Sequence, residues 1–180
     1  MDCFSTGPSM RKQIADRRDH LYRVAFSWCG EAMVADDLVQ EALSIGLQRA
    51  SQLRDPKCLN GWLYSIMSNC WKQHLRRKPV DIELQDSHVI TESNPETTNE
   101  EHEIVEHVRN AILRLPEAQR QTITLVDIAG FSYAETATIL SIPTGTVMSR
   151  LHTARNTLQG VLAQFRLQQP DRSTYIRRVK

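Results

Sequence analysis

Gly145, Ser149, His152, Thr153 and Asn156 fall on one side of a single helical stretch, with Thr146, Arg150 and Arg155 on its flanks and Thr144 at its start. At about 100° per residue they point away from the apolar stripe Val147, Leu151, Ala154, Leu158, Leu162 and Phe165. Hydroxyl, amide, imidazole and guanidinium groups arranged in this way suit hydrogen bonding to base edges in a major groove and ion pairing with phosphates. They do not suit bond making. No nucleophile and base, phosphate-binding glycine loop or metal-ligand cluster stands at the spacing covalent chemistry needs, so neither an enzyme nor a cofactor is expected.

Such a face is useful only if a second helix holds it against DNA. Upstream, Ser132 stands three residues before Glu135, the spacing of a capping box that marks a helix start. Ala137 is small where two helices must cross, and Ser141-Ile142-Pro143 stops the helix because the residue before proline is disfavoured in the α region. The two segments together read as a helix-turn-helix whose second helix enters the major groove. A helical hairpin with a solvated polar face has the same periodicity. The capping box, the short turn and the small crossing residue favour DNA binding.

A second polar array lies earlier in the chain. Over residues 59–77, Ser65, Asn69, Lys72 and Arg76 form a narrow stripe opposite Leu59, Leu63, Ile66, Met67 and Cys70. The end of that helix, Leu75-Arg76-Arg77-Lys78, adds cations where the helix dipole also favours them. Trp62, Tyr64 and Trp71 are interleaved, and flat side chains beside cations suit unpaired bases. Core burial is the commoner use of aromatics, and Trp62 is expected to anchor the helix to its neighbours. Ahead of it, one helix is expected from Gln13 to Cys29, closed by Gly30, and another from Met33 to Ala50 with Leu38, Ala42 and Ile45 opposite Asp37, Gln40 and Glu41. Further on, Ile104, Val105, Val108, Ile112 and Leu115 mark one helix face, and Ala118 to Ile128 form the next helix.

Charge divides the 180 residues into blocks that the net value of +1 conceals. Residues 1–80 carry 12 Lys+Arg against 8 Asp+Glu, residues 81–103 carry none against 8, and residues 104–180 carry 10 against 5. Two basic blocks thus flank an acidic spacer rich in Ser, Thr, Asn and Pro, a composition that favours an unfolded linker. With no segment of period two, the fold class is all-α: two small helical domains, 13–80 and 104–167, joined by a flexible acidic linker, 81–103, with loose ends at 1–12 and 168–180. Cys3, Cys29, Cys58 and Cys70 form no C-x-x-C pair and have no histidines at zinc spacing, which fits reduced thiols in a cytoplasmic protein. No signal peptide or bilayer-length apolar run is apparent, so no membrane insertion is expected.

Three motifs, in this order and spacing, resemble the extracytoplasmic-function (ECF) sigma factors of bacterial RNA polymerase. Ala35-Asp36-Asp37-Leu38-Val39-Gln40-Glu41 is similar to the family's region 2.2. Asn60-Gly61-Trp62-Leu63-Tyr64-Ser65-Ile66-Met67-Ser68-Asn69, running on to His74-Leu75-Arg76-Arg77-Lys78, is similar to regions 2.3 and 2.4. Leu115-Pro116-Glu117-Ala118-Gln119-Arg120 with the helix-turn-helix is similar to region 4. The resemblance implies that Asp37, Gln40 and Glu41 contact core RNA polymerase, at the β′ coiled coil, with further contacts to the β subunit. It implies that Lys57 and Asn60 in the loop, with Ser65, Asn69, Lys72 and Arg76, read and open the minus-10 element, and that Thr144, Gly145, Thr146, Ser149, Arg150, His152, Thr153 and Arg155 read the minus-35 element of promoter DNA. An anti-sigma factor is the implied regulatory partner, and the linker would thread the polymerase cleft. Met148 and Thr153 stand where many relatives carry arginine, which predicts a weaker salt dependence for this recognition helix.

Other functions predict other features. An autonomous helix-turn-helix regulator would use the first 80 residues as an effector or dimer domain and would need no region 2. A sigma-like decoy for an anti-sigma protein would carry an α/β receiver domain, for which the pattern has no room.

Overall fold

The computed structural model describes residues 8–77 and 99–168, and among these every regular element is helical. The chain is helical from Pro8, whose fixed φ suits a first turn, and the single helix expected from Gln13 to Cys29 is two: α1 (Pro8–Ala15) and α2 (Arg18–Cys29). The break lets α1 swing, so that Ile14, fully buried, comes within 4.0 Å of where a Cβ on Gly46 would stand. Gly30 ends α2 in the left-handed region (φ 71°), its N–H donating to the Phe26 carbonyl, as the sequence indicates.

Helix α3 (Ala32–Gln48) packs against α2 and α4 (Leu59–Arg77), with 3-10 turns at Ala50–Gln52 and Pro56–Cys58 between α3 and α4. Asp55 caps the second turn by accepting from the Lys57 N–H at 2.9 Å. Gly46 lets α3 and α4 approach closely, since a Cβ there would lie 2.8 Å from Leu63 Cδ2.

Helix α5 (Asn99–Leu113) begins inside the stretch read as acidic spacer, most of which lies outside the described residues. Helix α6 (Glu117–Ile123) runs into a π-helical turn, Thr124–Ile128, instead of continuing as the regular helix expected to Ile128. The wider turn is closed by the Ala129 N–H donating to the Thr124 carbonyl at 2.9 Å. Then come α7 (Tyr133–Leu140) and α8 (Thr144–Gln168).

The apolar core crosses the boundary between the halves. Leu21, Val24, Trp28, Leu38, Leu63 and Met67 from the first half share one cluster with Leu125, Ile139 and Leu140 from the second, while Leu115, Ile123, Leu151 and Ala154 form a smaller cluster. No helix among the described residues is long and apolar enough to cross a membrane.

Candidate nucleic-acid interface

The helix-turn-helix is built locally. The Ser132 hydroxyl accepts from the Glu135 N–H at 3.3 Å while the Glu135 carboxylate accepts from the Ser132 N–H at 2.9 Å and its hydroxyl at 2.6 Å, so the capping box is complete. Those bonds hold the Glu135 carboxyl below its usual pKa. At the other end Ser141 takes a left-handed conformation (φ 57°), and the N–H groups of Ser141 and Ile142 donate to the carbonyls of Thr138 and Ala137. That is a Schellman arrangement made without glycine, and it turns the chain so that Pro143 can start α8.

On α8, Val147, Leu151 and Ala154 are buried and Leu158 and Leu162 are partly so, while the side chain of Phe165 lies outside those described. Thr144, Gly145, Ser149, His152 and Thr153 are exposed, and Thr146 and Arg150 are half-buried at the flanks. The Ser149 and Thr153 hydroxyls donate to the Thr146 and Ser149 carbonyls, at 3.1 and 3.0 Å, leaving oxygen lone pairs outward. His152 Nε2 lies 3.0 Å from Asn156 Nδ2. Arg155 is not a free cation: Asp127 of the π-helical turn accepts from its Nε at 3.1 Å and its Nη2 at 2.6 Å. This fork holds the Arg155 proton still more firmly and partly neutralises its charge.

The residues assigned to the minus-10 element separate into two hollows. Lys57, Asn60 and Ser65 line a cavity of about 850 Å³, and Asn69, Lys72 and Arg76 line one of about 290 Å³ between α3 and α4. Arg17 just before α2, His20 and Arg23 on α2, and Arg49 after α3 line these hollows too and were not singled out in the sequence. Their signal was there, since residues 17, 20 and 23 recur at a spacing of three on one helix face. Two of the stripe residues are already engaged: the Ser65 hydroxyl donates to the Gly61 carbonyl at 2.9 Å, and Lys72 Nζ donates to the Leu140 carbonyl of α7 at 3.1 Å.

Trp62 is half-buried on the larger cavity and packs against the core cluster. Trp71 is buried and stacks on His74 at 5.4 Å. Tyr64 is buried, donates to the His20 carbonyl at 3.2 Å and meets Phe131 edge-on at 4.9 Å, and burial pushes its phenol up to about 12.

Asp37, Gln40 and Glu41 are exposed together on α3. Their neighbour Asp36 is drawn aside by Arg18 of α2, 2.7 Å away. The geometry therefore offers three separate polar faces: acidic on α3, cationic along α4, and hydrogen-bonding on α8.

Comparison with known proteins matches residues 14–79 to the family Sigma-70 region 2 and residues 106–158 to Sigma-70, region 4. The chain is 32% identical over 154 residues to the ECF RNA polymerase sigma factor EcfG of Rhodopseudomonas palustris, covering 86% of this chain and 85% of that one. Among solved structures it is similar to the sigma factor RpoE in complex with the anti-sigma factor NepR from Bartonella quintana (TM-score 0.69, 23% identity, 87% of this chain and 98% of that one). It is also similar to CnrH in complex with the cytosolic domain of CnrY (TM-score 0.64, 21% identity, 88% and 90%). The match over residues 14–79 removes the premise of the autonomous regulator, which would have no region 2.

Proposed function

The chain belongs to the extracytoplasmic-function sigma factors, alternative sigma factors that direct promoter recognition in transcription initiation, and from that premise we propose how its faces divide the work. Asp37, Gln40 and Glu41 dock on the β′ coiled coil of core RNA polymerase, where acidic groups suit a basic partner. Lys57, Asn60, Ser65, Asn69, Lys72 and Arg76, joined by Arg49, hold the minus-10 strand, with phosphates on the cations and unpaired bases against the aromatic wall of the larger cavity. Thr144, Gly145, Thr146, Ser149, Arg150, His152 and Thr153 read the minus-35 element in the major groove, and Arg155 joins them once released from Asp127. The protein works in the cytoplasm and performs no catalysis of its own. An anti-sigma factor masks it when silent, the kind of partner held by both structural neighbours above.

The observation that carries this reading is the separation of an exposed acidic face on α3 from the cationic hollows beside α4. Co-purification of the tagged chain with bacterial core RNA polymerase, followed by promoter-dependent transcription, tests it. Specific initiation only when the chain is added is the expected result. A chain that ignores core polymerase but binds duplex DNA alone overturns it.

A further inference from the structure

Going beyond the sigma reading, we propose that the larger cavity beside α4 is a binding site for a free nucleoside polyphosphate, with its phosphates on Arg17, Arg23 and Lys57 and its base against Trp62 and Phe131. The cavity holds about 850 Å³, within the range of about 300–1,000 Å³ that small-molecule sites span. Arg17, Arg23 and Lys57 all line it, and among the described residues none of the three is in an ion pair. Unpaired cations on a low-dielectric wall focus a positive field, so the fitting occupant is an anion. Arg17 and Arg23 both act on the buried Tyr64 phenol, lowering its pKa against the larger upward effect of burial, so their charges converge on one part of the hollow. The Arg17 Nε–H is also buried without an acceptor among the described residues, which leaves a guanidinium that the protein alone does not satisfy.

The rest of the lining suits a base. Trp62 and Phe131 are both half-buried, and the Phe131 ring is fixed edge-on to Tyr64 at 4.9 Å. Flat faces held in this way stack on heteroaromatic rings. Beside Trp62, Gly61 also lines the cavity, and nothing lies within 4 Å of where its Cβ would stand, so the space next to the indole is open. Glu135 is the one acid in the lining, and its Oε2 takes both bonds from Ser132. Its charge turns phosphates away, so the base rather than the polyphosphate faces it.

Charge separates a free nucleotide from a strand. A strand brings one negative charge per base, whereas three unpaired cations around one hollow match the several charges of a terminal di- or triphosphate. The nucleotide and the minus-10 strand would share Lys57 and the aromatic wall, so each should exclude the other.

The test titrates the full chain with ATP by calorimetry, with pyrophosphate and adenosine as separate probes. ATP should bind saturably at one site per chain, more tightly than either fragment, and more weakly as salt rises. Arg23→Ala removes an exposed cation and should weaken ATP binding about tenfold. Gly61→Leu, at a helical position with open space before it, fills the hollow and should abolish binding. Should Gly61→Leu fail to fold, Arg23→Ala carries the test. ATP should also slow alkylation of Cys58, an exposed thiol lining the same cavity, read by peptide mass. Absence of saturable binding overturns the proposal, as does binding that both variants leave unchanged. Pyrophosphate bound as tightly as ATP overturns it too, because the base would then contribute nothing. A short labelled single strand of mixed sequence should be displaced by ATP. A strand that stays bound beside ATP, with the variants still losing ATP, counts against the minus-10 assignment of this cavity and leaves the nucleotide site standing.

Discussion

Arg155 shows how a single side chain can look free in sequence and be held in structure. Its position on the flank of α8 suits a phosphate, yet Asp127, 28 residues earlier, takes it in a two-bond fork. Both partners are half-exposed, so the pair adds only about 0–1 kcal/mol to stability, and its larger effect is on DNA. Asp127→Asn should release the guanidinium and tighten minus-35 binding a few-fold. The slope of log K against log salt should steepen by up to about one unit, and an unchanged slope would mean that Arg155 does not reach phosphate. Glu135 gives a pH prediction whose sign follows from its lowered pKa. A carboxylate stabilised in the folded state contributes above its unfolded pKa, and that contribution is lost as pH falls through the folded value. Thermal midpoints should therefore fall more steeply in the wild type than in Glu135→Gln as the pH drops below the ordinary glutamate value of about 4.3. Parallel curves would deny the capping box a role in stability.

Elements carry the division of labour. Periodicity placed Asp37, Gln40 and Glu41 on the outer side of α3 because Leu38 and Ala42 must face the core, and both are buried. Asp37→Arg or Gln40→Ala should weaken binding to core polymerase while leaving the helical spectrum and thermal midpoint in place. Loss of folding in either variant counts against their being exposed contacts. On α8, Ser149→Ala or Arg150→Ala should impair use of the minus-35 element and spare polymerase binding, measured by transcription on the same promoter and by pull-down. Equal loss of both activities would undermine the assignment. The ends of these helices were legible because capping is a matter of three or four neighbouring residues, as Ser132, Glu135 and Gly30 show. The break between α1 and α2 was not, since it answers to Gly46 on another helix.

At the scale of the molecule, the two halves read from charge blocks share one apolar core. Trp28 is fully buried, and its indole N–H finds its partner in Thr124, 96 residues away. Thr124→Val leaves that donor without an acceptor and should cost about 1–3 kcal/mol in denaturant unfolding. A change within error would show that this hydrogen bond adds nothing to stability. The sequence by itself determined the all-helical class, the faces of α3, α4 and α8 and the helix-turn-helix. Those follow from the helical repeat and from caps, which depend on residues close together in the chain. Only the tertiary structure decided that Lys72 meets the Leu140 carbonyl, 68 residues on, and that Arg17, His20 and Arg23 join Lys57 and Phe131 around one cavity. Such contacts depend on which apolar surfaces bury each other across the whole chain, and no local pattern of residues specifies that pairing.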